Sequence, residues 1–478
     1  MKPFYVLLLF QIMWGGLTAQ IGNICNNYCD RNLSTPITGL QIDSTNDLTD
    51  LEYSKKVSGN CVAVSNFDVH YTQNSCAGET PYDGCSTDPS ATPLKMRVYY
   101  PKNHNYAACK LPAVIIFHAG GYSECGSYLN PLIRALARKL ALRGFVVFDV
   151  NYRLGVIADI RTVPGSNPPV RYTTAQQWLA IYRGMQDARG AVRSIMQMQV
   201  DGVNSSFYQI DTSKVFLGGT SAGSVLALSS EYYGTQAKID QVFPGISSLL
   251  GPIDPTGVYY ADPPTSMAND YFGKIKGILN CWGSLLTPVA YLSNPYNFFG
   301  GQGYGLPPVI SFHGMKDETF NYKRQGTYFS TYDGSLGGYD SLFQVEKHCL
   351  PDTFIVNEFN DNTLDYICIG SQNIYQMLRG NSIFSELYLD CLMGHGLDDD
   401  CSTPGCYQSD FGTSAINTDQ TLDYIAGRAA TFFQAILQGI SGTLFSNGND
   451  SKFTECENER VKCSLTDAGG CADDNTCP

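Results

Sequence analysis

The 478-residue sequence predicts an α/β fold: a mostly parallel central sheet with helices on both faces, plus cysteine-rich N- and C-terminal extensions. Three observations predict it. From Leu94 onward, short apolar runs rich in β-branched residues alternate with longer stretches of helical spacing. That alternation marks parallel strands covered on both faces. Several of these runs stop at glycine, serine or histidine, so polar chemistry gathers at the strand ends. The 17 cysteines, many of them near the two ends, set polar flanks apart from a normal globular middle with 43% hydrophobic residues.

The elements follow in order. Residues 1–20 read as a secretory signal: Lys2 is the positive start, Phe4 to Trp14 a short apolar core, and Gly15 to Ala19 a small-residue exit. That core is too short to span a bilayer, and cleavage is expected near Ala19 or Gln20. Residues 21–92 form a polar leader with Cys25, Cys29, Cys61, Cys76 and Cys85, expected to pack on the core. The body, 93–440, opens with strands Leu94–Tyr100 and Ala113–Phe117, helix Pro131–Leu142, strand Phe145–Val150, helix Thr174–Gln199 and strand Val215–Gly218. Residues 252–306, rich in Pro, Gly, Tyr and Asn, are expected to be an insertion above the sheet. Val309–Phe312 resumes as a strand, and 320–368 is a second insertion. Helix Gln372–Leu378, strand Glu386–Leu392 and helix Thr421–Leu437 close the body, and 441–478 is a tail with Cys456, Cys463, Cys471 and Cys477.

Cysteines in such numbers behind a secretory signal imply disulfides in an oxidising compartment, so the expected location is extracellular, or periplasmic in a Gram-negative source. An odd count leaves one thiol free or paired with another chain. The formal charge of -13 argues against nucleic acid and anionic membranes as partners. No later segment is apolar for the length of a membrane helix. Cys391, His395, Cys401 and Cys406 lack the paired Cys-x-x-Cys spacing of zinc sites, so no metal is assigned.

The densest chemical signal is Gly219-Thr220-Ser221-Ala222-Gly223, a Gly-x-Ser-x-Gly pentad between an apolar strand and a small-residue helix. This is the layout of a nucleophile elbow, which thrusts one serine up at a sharp turn. A serine hydroxyl is weak alone and needs a base, an orienting acid and an oxyanion site. Gly120 and Gly121, behind the strand Val114-Ile115-Ile116-Phe117-His118-Ala119, free backbone N–H groups for an oxyanion, and with Ala222 they are the candidate oxyanion hole.

The order His118-Ala119-Gly120-Gly121, Asn151-Tyr152-Arg153-Leu154-Gly155, Asp187-Ala188-Arg189-Gly190 and the pentad resembles α/β-hydrolase fold esterases and lipases with an HGGG-type oxyanion loop. It is similar to their secreted carbohydrate-esterase and carboxylesterase branches, over about 94–440. Ala119 stands for the first glycine of that loop, and Thr220 occupies a position that is often Glu, Asp or Ser in such enzymes. The resemblance implies the chain order serine, acid, histidine. Asp317 in Phe312-His313-Gly314-Met315-Lys316-Asp317 is then the acid, with adjacent Glu318 the alternative. His395, between Gly394 and Gly396 after the last strand, is the base; His118 and His313 become turn supports.

Arg153 and Asp187 are expected to brace the loop after one strand against the long helix, and Tyr122 to border the acyl pocket. Tyr259, Tyr260, Tyr271, Phe272 and Trp282 are either a lid, a carbohydrate-stacking wall or plain packing. The implied activity is ester hydrolysis by Ser221, His395 and Asp317 through an acyl-enzyme, without metal or organic cofactor. The implied substrates are acetyl or feruloyl esters of polysaccharides, with short-chain esters or lipids as the alternative; a non-catalytic binding protein on the same fold is the contrasting class.

Overall fold

A computed structural model describes residues 32–45, 50–54, 93–122, 130–154, 174–243, 245–264, 272–288, 291, 294–300, 305–314, 317, 320, 322, 324–325, 366–390, 395–396 and 418–439. The signal, most of the leader, most of the second insertion and the tail lie outside them, as does Glu318.

The strands are β1 (Ile42–Ser44), β2 (Leu51–Glu52), β3 (Lys95–Pro101), β4 (Leu111–Phe117), β5 (Val146–Val150), β6 (Ile210–Thr220), β7 (Ile275–Cys281), β8 (Leu285–Pro288), β9 (Val309–Gly314), β10 (Arg324–Gln325), β11 (Tyr366–Ile369) and β12 (Ser385–Asp390). Nine of them form one sheet in the order β1-β3-β5-β4-β6-β7-β9-β12, with β2 beside β3. From β5 to β12 every neighbouring pair is parallel. β1, β2 and β3 supply an antiparallel edge. β10, β11 and β8 make a small separate sheet.

Among the described residues the helices are α1 (Pro131–Ala141), α2 (Thr174–Val200), α3 (Ala222–Tyr232), α4 (Gln236–Val242), α5 (Ile246–Leu250), α6 (Tyr296–Phe299), α7 (Ser371–Gly380) and α8 (Thr418–Leu437). α1 starts where the sequence dictates: Asn130 accepts from the Leu132 N–H and Pro131 opens the first turn. Its buried residues Ile133, Leu136, Ala137, Leu140 and Ala141 recur at helical spacing and face the sheet. α1 packs with α8, and α2 packs with α3. Phe433 of α8 stacks on Phe216 of β6 with ring centroids 4.1 Å apart.

Most elements begin and end close to the positions read from the sequence. One reading is corrected. The range 252–306 is not wholly an insertion above the sheet, because β7 runs through its middle and pairs with both β6 and β9. Its pattern hid it: Lys276 is exposed, Gly277 interrupts the apolar run, and Asn280 is a buried polar residue. Gly277 is there for packing, since a Cβ would press on Ile436 of α8 and on the Pro308 carbonyl.

Register brings the carboxyl ends of the parallel strands to one edge. Phe117 lies opposite Gly219 and Val150. Cys281 lies opposite Thr220 and Phe312, and Gly314 opposite Asp390. In open α/β sheets this edge is where ligands bind.

Candidate active site

β6 ends at Thr220 and α3 starts at Ala222, leaving Ser221 alone on the turn. Its backbone sits at φ 50, ψ -119, a region that side-chain-bearing residues rarely occupy. The turn closes only because its flanks are bare. A Cβ on Gly219 would collide with the Gly223 backbone, and one on Gly223 with the Phe117 carbonyl. Ser221 is buried to 6% exposure, with its N–H bonded to Cys281 O at 2.9 Å.

Asp317 follows β9 and His395 follows β12. The Ser221 hydroxyl lies 2.7 Å from His395 Nε2. On the other side of the ring, Nδ1 is 3.0 Å from Asp317 Oδ1 and 2.9 Å from Oδ2. The carboxylate is an acceptor, so Nδ1 carries the proton and Nε2 accepts from the serine. Phe320 meets the imidazole edge-on at 5.4 Å between ring centroids, and the Phe320 N–H donates to Asp317 Oδ1 at 2.7 Å. The structure thus brings Ser221, His395 and Asp317 into one line.

Asp317 has a further neighbour. His313 Nε2 stands 3.0 Å from Asp317 Oδ2. Burial alone would raise the Asp317 carboxyl, but hydrogen bonds from His313 and His395 outweigh it and hold the group far below the usual carboxylate range. Asp317 is therefore ionised at neutral pH. The sequence made His313 a turn support; the i, i+4 spacing of His313 and Asp317 was the only hint of this contact.

Gly120, Gly121 and Tyr122 follow β4 with φ of 123, 60 and 61, three successive residues in the left-handed half of backbone space. Such turns can direct N–H groups toward an anion. Ala222 opens α3, so its N–H has no acceptor within the helix. The turn is tied down by buried groups. His118 Nδ1 lies 2.7 Å from Ala119 O, and its Nε2 lies 3.1 Å from the Asn151 side chain. Tyr152 stacks on the His118 ring at 4.2 Å and donates its hydroxyl to His118 O at 2.7 Å. Burial pushes the His118 imidazole down to about 4, against the bonds to Ala119 and Asn151. Tyr122 is itself buried and donates to Ala222 O at 3.1 Å, which joins the glycine turn to the elbow helix.

Arg153 and Asp187 do pair. The Arg153 N–H and Nε donate to Asp187, the former at 2.7 Å, and Tyr259 OH donates to the same carboxylate at 2.7 Å. The sequence did not reveal that Arg189 and Arg193 of α2 both engage Asp254, pinning the chain that leads to Tyr259. Tyr259 is fully buried and Trp282 is 2% exposed, so neither belongs to a lid or stacking wall; among those aromatics with described side chains only Tyr260 is exposed. The side chains of Tyr271 and Phe272 lie outside the described residues, as does Cys391. Cys109 is disulfide-bonded, whereas Cys281 and Cys368 are buried free thiols.

No family model matches the chain, and no curated protein matches it. Among solved structures it is similar to a thermophilic esterase from the Planctomycetes species Thermogutta terrifontis. The butyrate-bound form is 17% identical over 65% of this chain and 82% of that one, with a TM-score of 0.32. The form phosphorylated by paraoxon is 17% identical over 66% and 85%, with a TM-score of 0.33. At such low TM-scores neither likeness says what this chain acts on.

Proposed function

We propose that the chain is a serine hydrolase of carboxylic esters. The observation that carries this is the continuous line of hydrogen bonds from Ser221 Oγ through both nitrogens of His395 to Asp317. His395 Nε2 accepts the hydroxyl proton as Ser221 Oγ attacks the ester carbonyl, and Asp317 stabilises the imidazolium that forms. The N–H groups of Gly120, Gly121 and Ala222 receive the oxyanion. His395 then protonates the leaving alcohol, giving an acyl-Ser221 intermediate. Water, deprotonated by the same imidazole, releases the acid and restores the serine.

The test is Ser221→Ala against a short-chain nitrophenyl ester, together with fluorophosphonate labelling of the wild type. Turnover is expected to vanish in the variant and the label to land on Ser221. Unlabelled wild-type protein favours the non-catalytic reading, and undiminished turnover in the variant removes Ser221 as nucleophile. Acetylated and feruloylated xylan beside esters of graded acyl length separates a polysaccharide esterase from a short-chain carboxylesterase or lipase. Export is part of the same reading, supported by the apolar run Phe4 to Trp14 and by the disulfide at Cys109. N-terminal sequencing of the mature protein is expected to begin close to residue 20.

A further inference from the structure

We propose that His313 is a positioning residue for Asp317, fixed in its donating tautomer by a buried arm that runs through Ser371 to Asn280. The proposal rests on the ester-hydrolase reading above and deepens it.

The direction of each bond in the arm follows from one backbone group. The Gly283 N–H can only donate, and it points to Asn280 Oδ1 at 3.0 Å. The Asn280 amide is thereby oriented, and its Nδ2 donates to Ser311 Oγ at 3.0 Å and to Ser371 Oγ at 2.9 Å. Ser371 thus accepts from Asn280 and must place its own proton elsewhere. His313 Nδ1, 2.7 Å away, takes it. With Nδ1 as acceptor, the ring proton sits on Nε2. That nitrogen faces two oxygens that can only accept, Phe320 O at 2.8 Å and Asp317 Oδ2 at 3.0 Å. Both ends of the arm therefore demand the same tautomer. A doubly protonated ring would leave the Ser371 hydroxyl proton without an acceptor.

Asn280, Ser371 and His313 are all fully buried, out of reach of bulk solvent. The arm gives Asp317 Oδ2 a second, neutral donor beside His395. With the Phe320 N–H on Oδ1, both carboxylate oxygens are held and the group is kept from rotating away from His395 Nδ1. Asn280 also precedes Cys281, whose carbonyl receives the Ser221 N–H. One strand end therefore anchors the nucleophile through its backbone and the acid through its side chain. A purely structural arm, tying α7 to β7 and β9, would affect folding and leave the chemical step alone.

The experiment compares Ser371→Ala, Ser371→Thr, His313→Leu and Ser221→Ala with the wild type, by steady-state ester hydrolysis, fluorophosphonate labelling rate and thermal unfolding. Ser371→Ala removes one hydroxyl and is expected to lower kcat about tenfold, the effect of a single lost hydrogen bond, with KM within about twofold. Ser371→Thr keeps the donor and is expected to return most of that rate. His313→Leu is expected to lose more than Ser371→Ala where it folds; Ser371→Ala decides the matter where it does not. A Ser371→Ala protein that melts earlier yet keeps wild-type kcat and labelling rate overturns the positioning role. Failure of the hydrolase reading looks different: the wild type would then take no fluorophosphonate label, or Ser221→Ala would turn over ester as fast as the wild type.

Discussion

Ser221 donates its backbone N–H to the carbonyl oxygen of Cys281 at 2.9 Å, continuing the parallel ladder one residue past the end of β6. The Ser221 carbonyl in turn accepts from Val225 N at 3.1 Å, the first bond of α3. Both peptide groups of the residue are thus committed, one to a neighbouring strand and one to a helix. This is what holds a serine at φ 50, ψ -119. The strain is local, and β6, β7 and α3 together enforce it.

Because the strain belongs to the backbone, glycine should relieve it. Conformations of this kind cost on the order of 1–3 kcal/mol for a residue with a Cβ, against roughly 0.5–1 kcal/mol of extra chain entropy lost by glycine. Strain wins, so Ser221→Gly is expected to be about 1 kcal/mol more stable than Ser221→Ala. Both are expected to be inactive. Urea unfolding of the two variants side by side measures the difference, and a Ser221→Gly protein less stable than Ser221→Ala would mean the turn is unstrained.

Gly223→Ala tests the opposite limit. Its added methyl has nowhere to go, since the Phe117 carbonyl occupies the space and belongs to the strand that leads into the glycine turn. Overpacking of this sort costs about 1–3 kcal/mol and moves backbone. The movement separates β4 from α3, and with them Gly120 and Gly121 from Ala222. A loss of about 3 kcal/mol in transition-state stabilisation, roughly a hundredfold in kcat, is expected even in the fraction that folds. Kinetics on protein that still melts cooperatively provide the measurement.

How much of this was legible in the sequence depends on how local the signal was. The pentad announces Ser221 because both glycines fall within two residues of it, Gly219 kept bare by the Gly223 backbone and Gly223 by the Phe117 carbonyl of the neighbouring strand. Asp317 and His395 came from chain order and strand ends, which the parallel register then brings to one edge. β7 was illegible for the converse reason. Lys276, Gly277 and Asn280 break its apolar pattern, and each is explained only by something distant: solvent, α8, and the Ser311–Ser371 pair. The aromatic residues could not be told apart from sequence for the same reason, and Tyr259 and Trp282 prove to be plain packing. Tyr259 lies in a Pro- and Gly-rich stretch that reads as surface, yet Asp187 and the α2 arginines draw it inside.

His118 gives a pH dependence whose sign can be worked out. Its folded value is held down to about 4 by burial, so as pH falls from about 6.5 the unfolded chain takes up a proton first. Stability from this residue is complete above about 6.5 and declines until about 4, by roughly 3 kcal/mol in total. Asp149 acts oppositely. Burial raises its carboxyl, so its contribution grows as pH falls. The net slope of the wild type mixes the two. Comparing wild type with His118→Asn by urea unfolding between pH 7 and 4.5 isolates His118; the variant's stability is expected to fall less steeply by about one proton. Parallel slopes would show that His118 is not buried neutral.

The Arg153–Asp187 pair predicts a loss larger than any surface ion pair could give. The two side chains are 10% and 0% exposed, and Asp187 also receives the Arg153 backbone N–H and the Tyr259 hydroxyl. Asp187→Ala leaves the buried Arg153 guanidinium without its counter-ion, though still bonded to Gln186 Oε1, and the Tyr259 phenol without its acceptor, at a cost of about 3–5 kcal/mol. Removing the charge as well, in Arg153→Met with Asp187→Leu, is expected to recover at least half of that, because a buried pair exchanged for apolar packing is often close to neutral. The loop held by the pair carries Tyr152, whose hydroxyl fixes the carbonyl of His118 beneath the glycine turn. Asp187→Ala is therefore expected to slow ester turnover at temperatures well below its melting point, and the double variant to restore rate and stability together. A double-mutant cycle read by unfolding and by kcat gives both numbers. Recovery of stability without recovery of rate would mean the pair braces the helix alone and has no hold on the turn.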